Sequence, residues 1–245
     1  LQVDFPPSLS CYAAPEQEEQ AEALVAELKS LGAAVELNQV EEEDWSEAWK
    51  QYFKPRKVGK RWLVCPTWET PEPGPDDLLL LLDPGQAFGT GDHPTTRGCL
   101  ELMEDLDFRG KTIADIGSGS GILSMAAHLL GAENVTGVDV EGPAITAARE
   151  NAERLGYQLV FHQGLGFAPL GEDAVFDIVL SNIISAALIQ IAPQAAQRVK
   201  AGGSWITSGV IESNWPDVKS AAEAEGFSLI RHIAEDGWIS ALFRR

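Results

Sequence analysis

The chain has 245 residues, of which thirty-seven are acids and eighteen are bases, for a formal net charge of −19. Hydrophobic residues make up 44% and charged residues 22%, which excludes a disordered or fibrous chain and leaves room for one large α/β domain with a small companion. The acidic balance speaks against a protein that tracks nucleic-acid phosphates, and it suits either a basic partner or a plainly soluble surface.

The first fifty-odd residues differ from the rest. Residues 1–53 hold twelve acids and only Lys29 and Lys50 as bases. A short strand is expected near Leu9–Tyr12, close to the first of three scattered cysteines, Cys11, Cys65 and Cys99. With no CxxC pair and no His at ligand spacing, these cysteines point to a reducing compartment, the cytoplasm, and to no metal site. Ala21, Leu24, Val25, Leu28 and Leu31 recur at helical spacing, and Gly32 follows as the stop. Ala33, Val35 and Leu37 alternate as a half-buried strand does. This region reads as about half of a small α+β domain. The chain begins at Leu1, with no basic segment leading into an apolar run, so no secretory signal is visible and the start reads as that of a fragment or processed form. Trp45 and Trp49 then share one face of a linker helix.

Residues 54–75 are Pro-rich, with one strand at Trp62–Cys65. The longest aliphatic run, Leu78 to Leu82 between Asp77 and Asp83, is a buried strand far too short to span a bilayer. From residue 94 the pattern is regular: helix 94–106, strand 112–116, helix 121–131, strand 135–139, helix 143–155 and strand 158–162. Strand 175–181, helix 185–199, strand 203–209 and helix 215–225 follow. Strands 227–233 and 237–243 end the chain, joined at Glu235-Asp236-Gly237 by a tight turn, so the last should run antiparallel to its neighbour. Strands alternating with helices predict a doubly wound, mostly parallel sheet. The expected division is 1–43 for the partial α+β domain, 44–75 for the linker helix and connecting strand, and 76–245 for the main α/β domain.

Within that domain, Asp115-Ile116-Gly117-Ser118-Gly119-Ser120-Gly121 carries an apolar strand into a helix. Such glycines let the backbone turn sharply and let a ligand approach closely. Position 122 is Ile, so the spacing is GxGxG and not the dinucleotide GxGxxG, and no GK[ST] follows to make a P-loop. A Gly at 119 also fails the GxSxG nucleophile elbow. The run resembles the first motif of class I S-adenosylmethionine (SAM) methyltransferases. Twenty-two residues beyond Gly117, strand Asn134–Val138 ends in Asp139, placed to accept both ribose hydroxyls. Glu141 is a nearby substitute, and adenine would lie near Gly164-Leu165. The fourth strand ends in Asn182, whose amide can either accept hydrogen bonds from an amine nucleophile or cap the next helix.

The segment Asp83-Pro84-Gly85-Gln86-Ala87-Phe88-Gly89-Thr90-Gly91-Asp92-His93-Pro94-Thr95-Thr96 is a Gly/Pro/Thr loop feeding a helix that starts near Pro94. It closely resembles the DPGxAFGTGxHxTT signature of the ribosomal protein L11 methyltransferase (PrmA) family. The likeness continues through Asp44-Trp45…Trp49, Val64-Cys65-Pro66-Thr67-Trp68, the glycine loop, Gly137-Val138-Asp139 and Asn182-Ile183, covering roughly residues 40–245. It implies a class I, Rossmann-like seven-stranded fold and a SAM-dependent enzyme. Its acceptors would be lysine ε-amines and an N-terminal α-amine of one basic ribosomal protein, without direct contact to nucleic acid or membrane, and the enzyme would act as a monomer. Family SAM contacts fall here on Thr96, Gly117, Asp139 and Asn182. Phe88, Gly89, Thr90, Gly119 and Leu165 line the cofactor site, and Asn182 is the one catalytic residue. Three departures stand out: Glu141-Gly142-Pro143 after the ribose acid, Ile184-Ser185 after Asn182-Ile183, and a shorter N-terminal domain than the family carries.

Transfer from a sulfonium needs a neutral amine, and only about one lysine in 2,500 is neutral at pH 7, a cost of about 4–5 kcal/mol. Burial beside a cation lowers that pKa, and water carries the proton away, since no committed general base is visible. His93 stabilises the signature loop in this reading and is not assigned to catalysis; His128, His162 and His232 are structural. Two alternatives stay open on the same core: a small-molecule amine methyltransferase and a SAM-binding module without catalysis.

Overall fold

The computed structural model describes residues 18–35, 53–83 and 91–245. The chain divides into two compact units, residues 1–51 and 52–245. In the first, helix α1 (Glu18–Ser30) forms over the helical-spaced apolar residues. It ends where expected, with the N–H groups of Gly32 and Ala33 returning to the carbonyls of Lys29 and Leu28. Residues 33–35 are irregular. The remainder of that predicted strand, the one at Leu9–Tyr12, and Trp45 and Trp49 lie outside the described residues.

The second unit opens with a small sheet of β1 (Arg56–Val58), β2 (Trp62–Cys65) and β3 (Leu78–Leu81). Strand β2 runs antiparallel to β1 and parallel to β3. The sequence puts β2 in a connecting segment ending at residue 75, yet it pairs residue for residue with β3 beyond that point. Trp62 ties this sheet to the body: it is fully buried, and its indole N–H donates to the Leu100 carbonyl at 2.8 Å, inside helix α2 (Pro94–Met103).

The main sheet comprises β4 (Thr112–Ile116), β5 (Asn134–Asp139), β6 (Val160–Gln163), β7 (Phe176–Asn182), β8 (Val199–Ile211), β9 (Ser228–Glu235) and β10 (Trp238–Arg244). Their spatial order is β6-β5-β4-β7-β8-β10-β9. The first five are parallel, and β10 is antiparallel to both β8 and β9. This is the doubly wound, mostly parallel seven-stranded sheet expected from the alternating pattern. The closing hairpin forms because Asp236 and Gly237 both take positive φ, 49° and 78°, as a two-residue type I′ turn requires.

The helices are α3 (Ile122–Leu129), α4 (Gly142–Arg154), α5 (Ser185–Arg198) and α6 (Trp215–Ala224). Strand side chains alternate between two apolar cores. Ile113, Ile178, Leu180, Ile206 and Leu242 pack with α2 and α3, while Ala114, Val179, Trp205, Ala241 and Phe243 pack with α5 and α6. Both faces are covered, so the strands read as nearly continuous apolar runs. Several ends differ from expectation. Helix α3 starts at 122 because Gly121 stands outside it as the N-cap at φ +81°, and β8 begins four residues early, directly after α5.

Asp177 locks the opposite end of the sheet. It accepts from the Thr112 N–H and hydroxyl at 2.9 and 2.8 Å and from the Lys200 ammonium at 2.9 Å, joining β4, β7 and β8. Burial opposes its ionisation, but these donors outweigh it and hold its carboxyl down to about 2.

Candidate functional site

The strand ends β4, β5 and β7 converge on one edge of the sheet, where doubly wound folds bind ligands. Leaving β4, the chain curls over the end of β5: the N–H groups of Gly117 and Ser118 both donate to the Val138 carbonyl, at 2.7 and 3.0 Å. Gly117 has φ +79°, and a Cβ there would lie 2.1 Å from Ile183 Cγ2. No side chain fits, so the loop is pressed against the residue that follows Asn182.

The Asp139 carboxylate anchors the loop from beneath. One oxygen accepts the Gly119 N–H at 2.9 Å and the other the Glu141 N–H at 3.0 Å. Each oxygen therefore keeps lone pairs for further donors such as a vicinal diol. Glu141 contributes its backbone only and makes no side-chain cap to α4, which starts normally with Pro143 in its first turn. Strand β6 returns beside Asp139, whose carbonyl accepts the Gly164 N–H at 2.8 Å; the next residue, Leu165, is 65% exposed. Leu165 is thus an exposed apolar side chain two residues past the end of β6.

Asn182 ends β7. Its Nδ2–H donates to Thr96 Oγ1 at 3.4 Å, and Thr96 is fully buried in the first turn of α2. The other end of the amide, Oδ1, is buried without a hydrogen-bond partner among the described residues. A buried orphan acceptor costs about 1–3 kcal/mol unless something donates to it. The alternative of a helix cap fails, because the residue before α5 is Ile184 and Asn182 makes no cap bond. The structure thus brings Thr96, Gly117, Gly119, Asp139, Leu165 and Asn182 to one edge. Phe88, Gly89 and Thr90 lie outside the described residues.

The sequence model of the family described as ribosomal protein L11 methyltransferase (PrmA) matches residues 8–245. The chain belongs to the PrmA family. It is 42% identical over 226 residues to the ribosomal protein L11 methyltransferase of Caldanaerobacter subterraneus subsp. tengcongensis, covering 89% of this chain and 72% of that protein. It is 45% identical over 188 residues to that of Vibrio campbellii, covering 76% of this chain and 62% of that one. Among solved structures, the ribosomal protein L11 methylase of Lactobacillus delbrueckii subsp. bulgaricus superposes with a TM-score of 0.72 at 30% identity, over 79% of this chain and 98% of that one. PrmA membership and this sheet make the chain a class I SAM-type methyltransferase. Among the described residues, no helix is long and apolar enough to cross a membrane and no cluster could hold a metal ion.

Two features of this PrmA-family site escape a reading of the sequence, a close approach at Gly209 and the complete burial of an acid. Gly209 in β8 has φ +81°, and a Cβ there would sit 2.3 Å from the Ile183 carbonyl oxygen. It lets β8 press against the turn after Asn182; the sequence pattern ends its strand at this Gly, whereas β8 runs on to Ile211. Gly209→Ala combines a left-handed backbone with a clash against main chain, and should cost ~2–4 kcal/mol in denaturant unfolding.

The second is Asp115, the acid that opens the glycine motif. It is fully buried, accepts the Ser124 hydroxyl at 2.7 Å, and has no partner for Oδ1 among the described residues. Burial, and then the nearby Asp139 charge, push its carboxyl up to about 7, against the Ser124 hydrogen bond. The unfolded chain loses this proton near pH 3.9. Between those values the folded protein holds a proton that the unfolded chain has lost, so the associated stability is full below about pH 3.9 and is lost as pH rises through about 7. From pH 5 to 8 the wild type should therefore lose melting temperature relative to Asp115→Asn. A constant difference would contradict the assignment.

Proposed function

We propose that this protein uses SAM to methylate lysine ε-amines, and an N-terminal α-amine, of ribosomal protein L11 in the cytoplasm, with Asn182 facing the acceptor amine. The observation that carries this reading is the buried Asn182 Oδ1 beside the glycine loop, without a hydrogen-bond partner among the described residues, in a chain of the PrmA family. Relatives named ribosomal protein L11 methyltransferase support the choice of substrate.

The residues present fit SAM. The Gly117 turn has no room for a side chain of its own, and the Asp139 oxygens keep free lone pairs for the ribose hydroxyls. Thr96, Gly117 and Gly119 hold the amino-acid part and Leu165 covers the adenine; Phe88, Gly89 and Thr90 of the signature loop are the remaining cofactor contacts that the family resemblance implies. Bound SAM supplies an electrophilic methyl group. The chain itself must present the amine unprotonated. Asn182 Oδ1 accepts one amine N–H, which points the nitrogen lone pair elsewhere, and a carbonyl acceptor does this without the full charge that would hold the amine as ammonium. Water takes the released proton. Positioning of this kind accounts for up to ~7–11 kcal/mol in favourable intramolecular cases. The acid-rich residues 1–43 offer an opposite charge to a basic ribosomal protein.

The test is transfer of radiolabelled methyl from SAM to total ribosomal proteins from a host lacking this activity. One labelled band at the size of L11 supports the proposal. No labelled protein, with SAM binding still measurable by calorimetry, overturns the choice of substrate.

A further inference from the structure

We infer that His93 and Trp238 are positioning residues for the acceptor-facing amide. Trp238 holds the His93 ring, His93 sets the first turn of α2, and Thr96 in that turn fixes Asn182. The inference rests on the reading of Asn182 as the amine-facing residue.

Each link is a direct contact. Trp238 is the first residue of β10, paired with Ile211 at the ligand edge, and its indole meets the His93 imidazole at 4.9 Å between centroids and 70° between planes. His93 is the N-cap of α2, with extended backbone angles of −69° and 138°. Its Nδ1 accepts the Thr95 N–H at 3.3 Å and lies 2.7 Å from the Thr95 hydroxyl. Its carbonyl accepts the Thr96 and Arg97 N–H groups at 3.0 and 3.1 Å. Thr96 Oγ1 in turn accepts from Asn182 Nδ2, so the amide is held by its NH2 end and Oδ1 is the end left to face a substrate. A shift of about 1 Å in such a constellation can cost ~10²-fold in rate.

The link requires an unprotonated Nδ1, since a protonated one would face the Thr95 N–H donor to donor. Burial and then the Arg97 guanidinium lower the ring's pKa and keep it in that state. Arg97 lies one turn on in α2, held by Glu235 and Asp236 of the closing hairpin at 2.7 and 3.3 Å, and Asp92 precedes the cap, 3.4 Å from Arg56 of β1.

The experiment compares His93→Leu, His93→Asn, Trp238→Ala, Trp238→Phe and Asn182→Ala for kcat, acceptor KM, melting temperature and the pH dependence of kcat, with SAM and L11. His93→Leu should lower kcat ~10–100-fold with acceptor KM within ~3-fold. His93→Asn, an N-cap residue that accepts at every pH, should recover kcat to within ~3-fold. Trp238→Ala should fall in the same sense and Trp238→Phe recover. Deprotonation of the acceptor alone gives log kcat a slope of one in pH. Protonation of His93 should add a second proton to the wild-type profile at a pH below the ordinary imidazole range, which His93→Asn abolishes. Wild-type turnover in His93→Leu overturns the inference while leaving Asn182 in place. A His93→Asn as slow as His93→Leu, with both melting as wild type, also overturns it, because the imidazole would then act on the reaction itself. Full activity in Asn182→Ala overturns the reading of Asn182 and this inference with it.

Discussion

Asn182→Ala is expected to leave a folded protein that still binds SAM but transfers methyl groups ~10²–10³-fold more slowly, the usual loss when one preorganised hydrogen-bonding group is removed from a reacting centre. The fold should tolerate the change, because Asn182 sits at the strand end and, among the described residues, its side chain makes one long bond, 3.4 Å, to Thr96. Truncation also removes the buried orphan Oδ1, which offsets part of the lost packing. SAM affinity should fall by only about 2–10-fold, the worth of a single neutral hydrogen bond. Asn182→Asp is the sharper control. It keeps the shape and the acceptor but adds a full negative charge, which favours the ammonium form of the acceptor lysine. Its kcat profile should therefore move to higher pH, where Asn182→Ala should be slow at every pH. Single-turnover labelling of L11 with saturating SAM separates these outcomes. If Asn182→Ala kept wild-type kcat, the amine would be oriented by other groups.

Strand ends were legible because a doubly wound fold ties chemistry to topology. Once the apolar run at 112–116 enters a glycine loop, the following strand must end near that loop, and the polar residue at its end, Asp139, must face it. The same logic brought Asn182 to the edge. Close approaches between distant segments were not legible. Nothing in the sequence links Gly209 to the Ile183 carbonyl, Trp62 to the Leu100 carbonyl, or Trp238 to His93, because these contacts depend on how packed strands and helices settle. Asp115 shows the same limit in charge. Its place in the motif was plain, but its complete burial, and so its raised pKa, follows from Ser124 and Asp139 lying around it. Element boundaries moved where end chemistry overrode pattern. A glycine N-cap delayed α3, and β8 began directly at the end of α5, a join that hydrophobic spacing alone does not mark.

Asp139→Asn should weaken SAM binding ~10²–10³-fold while leaving kcat at saturating SAM within a few-fold of wild type. The ribose hydroxyls are remote from the transferred group, so their hydrogen bonds are made equally before and during transfer, and losing them raises the SAM requirement without raising the chemical barrier. The size follows from two charge-assisted bonds at about 1.5–3 kcal/mol each, partly recovered by the amide oxygen that remains. The substitution also disturbs the protein in the absence of SAM. Both Asp139 oxygens already accept backbone N–H groups, from Gly119 at 2.9 Å and Glu141 at 3.0 Å, and an amide must turn its NH2 toward one of them. The glycine loop or the α4 turn would then lose its anchor, for a stability loss of ~1–3 kcal/mol. A second readout follows from the neighbouring acid. The Asp139 charge helps to raise the Asp115 pKa, so neutralising it should lower that pKa. The pH-dependent fall in melting temperature assigned to Asp115 still begins near the unfolded-chain pKa, but should end at lower pH and be smaller in Asp139→Asn than in wild type. Calorimetric titration with SAM and melts across pH 5–8 test both effects in one variant. Wild-type SAM affinity in Asp139→Asn would remove the ribose from this carboxylate, and an unmoved pH profile would remove the coupling between the two acids.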